Sequence, residues 1–176
     1  MIYFTADLHF HHSNIINLNG RPFSNIEQMN NQLIQNWNSC VTENDEIYIL
    51  GDFLFKGTGT DANNIINRLN GKKYLIKGNH DKDYLEDNAF NKENFVWIKD
   101  YYVLNYNKIK IVLFHYPIFE WDGYFGDSIH LYGHIHNCSK NKEQEKRIKL
   151  LGKRAINVGV DVNDYYPVSI EKVIKE

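Results

Sequence analysis

The chain carries two cysteines and three prolines in 176 residues, and no apolar run approaches the length needed to cross a bilayer. Two thiols as far apart as Cys40 and Cys138 exclude a disulfide framework, so unpaired cysteines in a reducing compartment are expected. Cys138 enters only as a neighbour of a histidine pair. A bilayer-spanning helix takes about 20 apolar residues, so no membrane partner is expected. The opening MIYFTADLHF has no basic segment and meets Asp7 after a short apolar run. No secretory leader is therefore expected, and the location expected is cytoplasmic. Charge of one sign is missing too: 20 Lys and Arg stand against 22 Asp and Glu. No global field marks a nucleic-acid binder. There is no repeat, low-complexity tract or Pro/Gly-rich linker, and the length suits one domain over 1–176.

What is present is apolar residues, aromatics and histidine. Hydrophobic residues at 43% and aromatics at 14% fit an ordered globular protein. Four β-rich runs, 2–6, 46–50, 73–77 and 110–114, are almost continuously apolar, as strands covered on both faces are. Each ends at a polar cluster: DLHFHH, GD, GNHD and HYP. Between the first three lie helical patterns. Ser24 and Glu27 fit a capping box before Met29, Leu33, Ile34 and Trp37, and Asp61 is placed to cap a helix carrying Ile65, Ile66 and Leu69. This strand–helix alternation predicts an α/β sheet with parallel early strands. Further on, 95–104 and 108–114 read as a hairpin around NYNK, and 129–132 and 155–162 as strands. The charged stretch 139–154 reads as a surface helix or loop. The whole fits a mixed sheet, or two packed sheets with helices outside.

In open α/β sheets ligands bind at the carboxyl ends of the strands. The residues expected there are Asp7 and His9, Asp52, Asn79 and His80, His115, and His134 and His136. Five of the eight histidines fall in this set, and a lone one would pass as structural. Five at successive strand ends, beside Asp, Asn or Gly, point to metal. On extended backbone Asp7-x-His9 and His134-x-His136 would each set two ligands on one side, about 6–7 Å apart. Such a pair either converges on one ion or gives one ligand to each of two. Seven ligands exceed one tetrahedral site and suit two ions sharing a carboxylate. No thiolate takes part, so a structural zinc knot is excluded.

The ordered series Asp7-x-His9, Gly51-Asp52, Gly78-Asn79-His80-Asp81, His115 and Gly133-His134-x-His136 resembles the calcineurin-like metallophosphoesterases. The chain looks like their small uncapped bacterial and phage members, which often begin SDLHFGH and carry a nearby RPF, here Arg21-Pro22-Phe23. NVGVD at 157–161 resembles the segment that often closes these domains. The resemblance implies a four-layer αββα sandwich of two mixed sheets flanked by helices. It implies Asp7, His9 and His136 on one ion, Asn79, His115 and His134 on a second, and Asp52 bridging. The ions would be Mn, Fe, Zn or Ni. His80 would stand outside the metal shell near the leaving group, stabilising developing charge or protonating the leaving oxygen. A metal-bridging hydroxide would attack phosphorus, with Asp52 and His80 as catalytic residues.

One departure narrows this. The protein phosphatase branch has an aspartate three residues after the bridging one, and here that position is Phe55. Substrate contacts are open at His12, at His11 (where the family glycine is expected) and at Arg21, whose alternative is a structural salt bridge. Tyr116, Trp121, Tyr124 and Phe125 would either stack on a flat group or pack a long loop. Asp81 is expected to close the turn after His80. The function expected is a phosphodiesterase or phosphatase on a small substrate; the alternatives are a nuclease, kept open by 139–154, and a non-catalytic scaffold of the same fold.

Overall fold

A computed structural model describes residues 1–137 and 142–175. Cys138 and the first residues of the charged stretch lie outside the described residues. The first sheet takes β1 (Ile2–Thr5), β2 (Glu46–Leu50), β3 (Lys72–Ile76) and β4 (Ile98–Lys99), all parallel, with β9 (Val168–Ser169) antiparallel on the β1 edge. The second orders β5 (Tyr101–Tyr106), β6 (Ile109–Phe114), β7 (Ile129–Tyr132) and β8 (Ala155–Asn157). Here β5 and β6 form an antiparallel hairpin and the others run parallel. These are two mixed sheets flanked by helices, as the resemblance implies.

The apolar character of the strands has a simple cause. Successive side chains on a strand point to opposite faces, and both faces of the first sheet are covered. Ile47, Ile49 and Leu75 join the helix-side core, while Phe4, Tyr48, Leu50 and Ile76 meet Ile111, Leu113 and Leu131 between the sheets. On the helix side lie α1 (Ser13–Asn19), α2 (Ile26–Cys40), α3 (Gly59–Ile66) and the short α4 (Lys82–Glu86). Helix α2 buries Met29, Leu33, Ile34 and Trp37, a stripe at helical spacing. The remaining helices are α5 (Lys142–Lys149), with no buried residue, and α6 (Ile170–Val173), whose ends join the inter-sheet core. Arg147 and Lys149 pair with Glu143 and Glu145 at i,i+4, so α5 neutralises much of its own positive charge. No described helix is long and apolar enough to cross a membrane.

Several expectations are corrected. The run 95–104 is two strands: it breaks at Asp100, and β4 extends the first sheet while β5 begins the second. Chains change sheets at such bends, and Asp100 is held there by Lys77 at 2.7 Å. The hairpin turn is Asn107-Lys108, both left-handed (φ 48° and 68°), as a tight two-residue turn requires. Asn25, not Ser24, caps α2, accepting from the Gln28 N–H at 2.8 Å. Thr58 caps α3, and Asp61 is the third residue of its capping box. The strand predicted over 155–162 stops at Asn157; residues Val160–Val162 form a 3₁₀ turn. Helix α1 carries no pattern that announces it. Cys40 is an unpaired thiol.

Trp37 is 1% exposed and donates its indole N–H to Asn70 O at 3.0 Å. Trp37→Ala is expected to lower the unfolding free energy by about 3–5 kcal/mol, read from urea denaturation. A loss below 1 kcal/mol would show that α2 is not tied to the core through this residue.

Candidate metal centre

Because β1, β2 and β3 run parallel, their carboxyl ends open on one edge, and β6 and β7 bring theirs to the same place. Asp7 and His9 follow β1, Asp52 follows β2, Asn79 and His80 follow β3, His115 follows β6, and His134 and His136 follow β7. The expectation of extended backbone at the two x-spaced pairs is corrected. Asp7, His9, His134 and His136 have φ of 56°, 51°, 69° and 48°, and Asp52 has 55°. These are left-handed turns past the strand ends, uncommon outside glycine but best tolerated by Asp, Asn and His. Two glycines let the loops close. A Cβ on Gly51 (φ 87°) would lie 2.5 Å from His115 Nδ1, and one on Gly133 2.6 Å from Asp7 Oδ2.

Two groups of ligand atoms result. Asp7, His9 and His136 form one and Asp52, His115 and His134 the other, each with its ligand atoms within 4.8 Å of one another. Asn79 Oδ1 lies 3.0 Å from both His115 Nε2 and His134 Nδ1. Asp52 Oδ2 stands between the groups, 3.5 Å from His9 Nε2 and 3.6 Å from His115 Nε2.

These residues fit cations. Both ring nitrogens of His9 are buried without a hydrogen-bond partner, a defect costing about 1–3 kcal/mol per group unless something fills it. His115 donates from Nδ1 to Leu50 O at 2.7 Å, which leaves a lone pair on Nε2 facing the Asn79 oxygen. Two lone pairs face each other there, and a cation between them turns repulsion into ligation. Burial holds His9 well below its ordinary pKa, reinforced by His136 and Arg21, and burial also lowers His115 and His134. Neutral imidazole is the form that ligates. Burial pushes the Asp7 carboxyl up to about 7, against the pull of His136, and raises Asp52 likewise.

Two other buried acids brace the groups. Asp161 accepts from His136 Nδ1 at 2.7 Å and from Arg21 Nε and Nη2 at 2.8 and 2.9 Å. Burial, the largest single influence, opposes ionisation of both partners, but their hydrogen bond together with Asp7 beside His136 and Arg21 beside Asp161 outweighs it, raising His136 and lowering Asp161. His136 is thereby fixed with Nε2 free of that bond, the usual arrangement for a ligating histidine. Asp81 accepts from the N–H groups of Asp52, Phe53 and Gly78 at 2.9, 2.9 and 2.7 Å and from Tyr84 Oη at 3.1 Å. It does close the turn after His80, and it ties the β2 and β3 loops together. Sequence reasoning gave Asp161 no role; its one signal was an acid inside NVGVD.

The substrate-contact expectations separate. Arg21 is corrected: its side chain is 0% exposed in the Asp161 pair, and Nη1 and Nη2 also donate to Leu8 O and Asp7 O. It is the structural ion pair. His11 is corrected too, lying in a recess with Ile26, Asn30 and Arg68 on the α2 side. Its φ of 65° is why glycine suits the position. His12 does reach the centre, its ring 5.3 Å from that of His9 and stacked on Phe55 at 3.6 Å. His80 stands beside both groups, its backbone N–H on Asp52 Oδ1 at 2.8 Å and its ring 5.0 Å from Phe55. In the loop 116–128, Trp121 and Tyr124 pack under Arg154, so packing, not stacking on a ligand, occupies them. Tyr116 differs, with its ring 4.6 Å from His134.

Residues 1–138 match the family described as calcineurin-like phosphoesterase. The chain belongs to that family. This calcineurin-like phosphoesterase is 37% identical over 175 residues to an uncharacterized protein of Methanocaldococcus jannaschii, covering 99% of this chain and 89% of that one. It is 32% identical over 81 residues to the gene 66 protein of Mycobacterium phage L5, covering 45% of this chain and 39% of the phage protein. A crystal structure of a protein of unknown function from Aquifex aeolicus superposes with a TM-score of 0.75 at 31% identity, covering 99% and 98% of the two chains. Members of the family usually bind divalent metals, and the two His/Asp groups are this chain's candidate sites for them.

Arg21→Ala strands the buried Asp161 charge, and a loss of about 3–5 kcal/mol in unfolding free energy is expected, measured in denaturant. Unchanged stability with a raised KM would return Arg21 to the substrate. Asp7 must shed a proton to ligate, so Mn²⁺ affinity is expected to climb about tenfold per pH unit below 7 and level off above. Calorimetric titration across pH 5–8 tests the sign; a flat profile would show the acid ionised throughout.

Proposed function

We propose that this protein is a metal-dependent hydrolase of a small phosphoester, diester or monoester, working with two divalent ions. The observation that carries the reading is Asp52 Oδ2, set between His9 Nε2 and His115 Nε2 at 3.5 and 3.6 Å. One carboxylate oxygen so placed suits a ligand shared by two ions. Asp7, His9 and His136 would hold one, and Asn79, His115 and His134 the other. When bound, the pair would offset the charge of the phosphoryl oxygens and supply a water acidified to a pKa of about 7.

The chain's own groups do the rest. His80 is left out of both groups and is held by its backbone N–H and by Phe55, so its ring serves the substrate, as proton donor to the leaving oxygen or hydrogen-bond donor to the phosphoryl group. His12, stacked on the same Phe55 ring, is the second imidazole able to reach a phosphoryl oxygen. Asp161 and Asp81 keep His136 and Asp52 in position while the substrate's charge arrives.

Chelator-treated protein is expected to lose hydrolysis of p-nitrophenyl phosphate and bis-p-nitrophenyl phosphate and to regain it with Mn²⁺ or Ni²⁺. Full activity in excess chelator would sink the proposal. Asp52→Asn should remove most activity together with metal. His80→Ala should lower turnover about 10²–10⁴-fold while elemental analysis still finds bound metal; if metal is lost, His80 is a ligand.

A further inference from the structure

Beside the centre, where the β3–β4 side of the first sheet meets the β5–β6 side of the second, lies a cavity of about 580 Å³, within the range that small ligands occupy. We propose that it receives a flat aromatic ester group of the substrate, an inference that rests on the phosphoesterase reading above.

Position is the first argument. The cavity is lined by Gly78 and Tyr116, the immediate neighbours of Asn79 and His115. Tyr116 is 36% exposed, and its ring lies 4.6 Å from that of His134 and 5.5 Å from that of Phe114. The cavity therefore adjoins the loops that carry Asn79 and His115, within reach of an ester group on a phosphoryl held there.

Chemistry is the second. The wall beyond Tyr116 is Phe114, Ile98 and Leu85, contributed by β6, β4 and α4. Two aromatic rings and two branched aliphatic chains suit a planar apolar group, whose faces and edges they can meet. Among these four only Tyr116, through its hydroxyl, carries a polar side-chain group. The rest of the lining is charged: Lys77, Lys82 and Lys92 against Glu86 and Asp100. Lys77 is committed to Asp100, whereas Lys82 meets Glu86 only at 3.9 Å with both side chains exposed. The small excess of positive charge attracts the anionic ester, and the side formed by Tyr116, Phe114, Ile98 and Leu85 takes its apolar part. A simple alkyl ester or inorganic phosphate would leave the cavity unfilled.

Phenylphosphonate and methylphosphonate test this, since both carry the same charged head on a bond the enzyme cannot hydrolyse. Calorimetry on the Mn²⁺-loaded protein is expected to give at least about tenfold tighter binding of the phenyl compound, in line with burial of one ring. In carbon-13 spectra phenylphosphonate should shift the methyl signals of Leu85 and Ile98, and methylphosphonate should not. Ile98→Trp fills the cavity and should bring the two affinities within about twofold, with methylphosphonate unaffected. Equal affinities in the unaltered protein, unmoved methyl signals, or a phenyl preference that survives Ile98→Trp would overturn the proposal. Should the variant not fold, the methyl signals of the unaltered protein decide the matter. Failure of the underlying reading looks different: Mn²⁺ then adds nothing to methylphosphonate affinity, while phenylphosphonate still shifts Leu85 and Ile98.

Discussion

Left-handed backbone at the strand ends is the constraint on which the centre depends. Asp7, His9, Asp52, His134 and His136 all adopt it, at a cost of about 1–3 kcal/mol each for non-glycine residues. A strand continued past Thr5 or Tyr132 would keep Asp7 and His9, or His134 and His136, on one face but carry the second of each pair about 6–7 Å farther from the strand end. Reversing the sign of φ at these five residues instead folds short loops back on themselves, so that their side chains converge with those of Asn79 and His115. Local propensity cannot supply that cost. It is met by the two sheets, whose apolar faces fix the strand ends on either side of the cleft.

Two buried acids convert this strained arrangement into a fixed one, and each serves a different ligand group. Asp161 with Arg21 braces the first: it orients His136, while the guanidinium also holds the Leu8 and Asp7 carbonyls. Asp81 braces the second by gathering backbone N–H groups from the loops after β2 and β3. Neither acid has to touch an ion to matter. A buried carboxylate with several donors is expensive to disturb, so each acts as a stop against loop movement. Asp7 does similar work, since the His134 N–H lies 2.9 Å from both of its oxygens and so joins the β1 and β7 loops.

The fold was legible where burial leaves a pattern. Strands β1 and β2 announce themselves because both faces of the first sheet are covered and nearly every position is apolar, and β3 does so in its Tyr74–Ile76 half, after two lysines. The polar blocks that follow them mark where each strand must stop. The sheet change at Asp100 was not legible, because apolar residues flank it on both sides and nothing local says that they serve different cores. Capping slipped because Ser24 and Asn25 both have an acceptor three residues on, and only the entry angle of the chain chooses between them. Left-handed turns at Asp and His leave no glycine to betray them. Arg21 was ambiguous for a deeper reason: a sequence shows a charge but not its partner, and Asp161 lies 140 residues away.

Phe55 then bears on what the centre can distinguish. It occupies the place of an acid that the protein phosphatase branch uses to support the histidine after the asparagine. Here that support is an aromatic ring, edge-on to His80 and stacked on His12. A ring orients His80 by packing but adds no negative charge beside an incoming anion. On the proposed assignment, two divalent cations face only two ligating carboxylates, Asp7 and Asp52, and the surplus positive charge attracts any phosphoester, whether monoanion or dianion. Charge alone therefore gives affinity without selection. Selection falls to shape, and a shaped surface that adjoins the ligands is the cavity lined by Tyr116, Phe114, Ile98 and Leu85 on its apolar side.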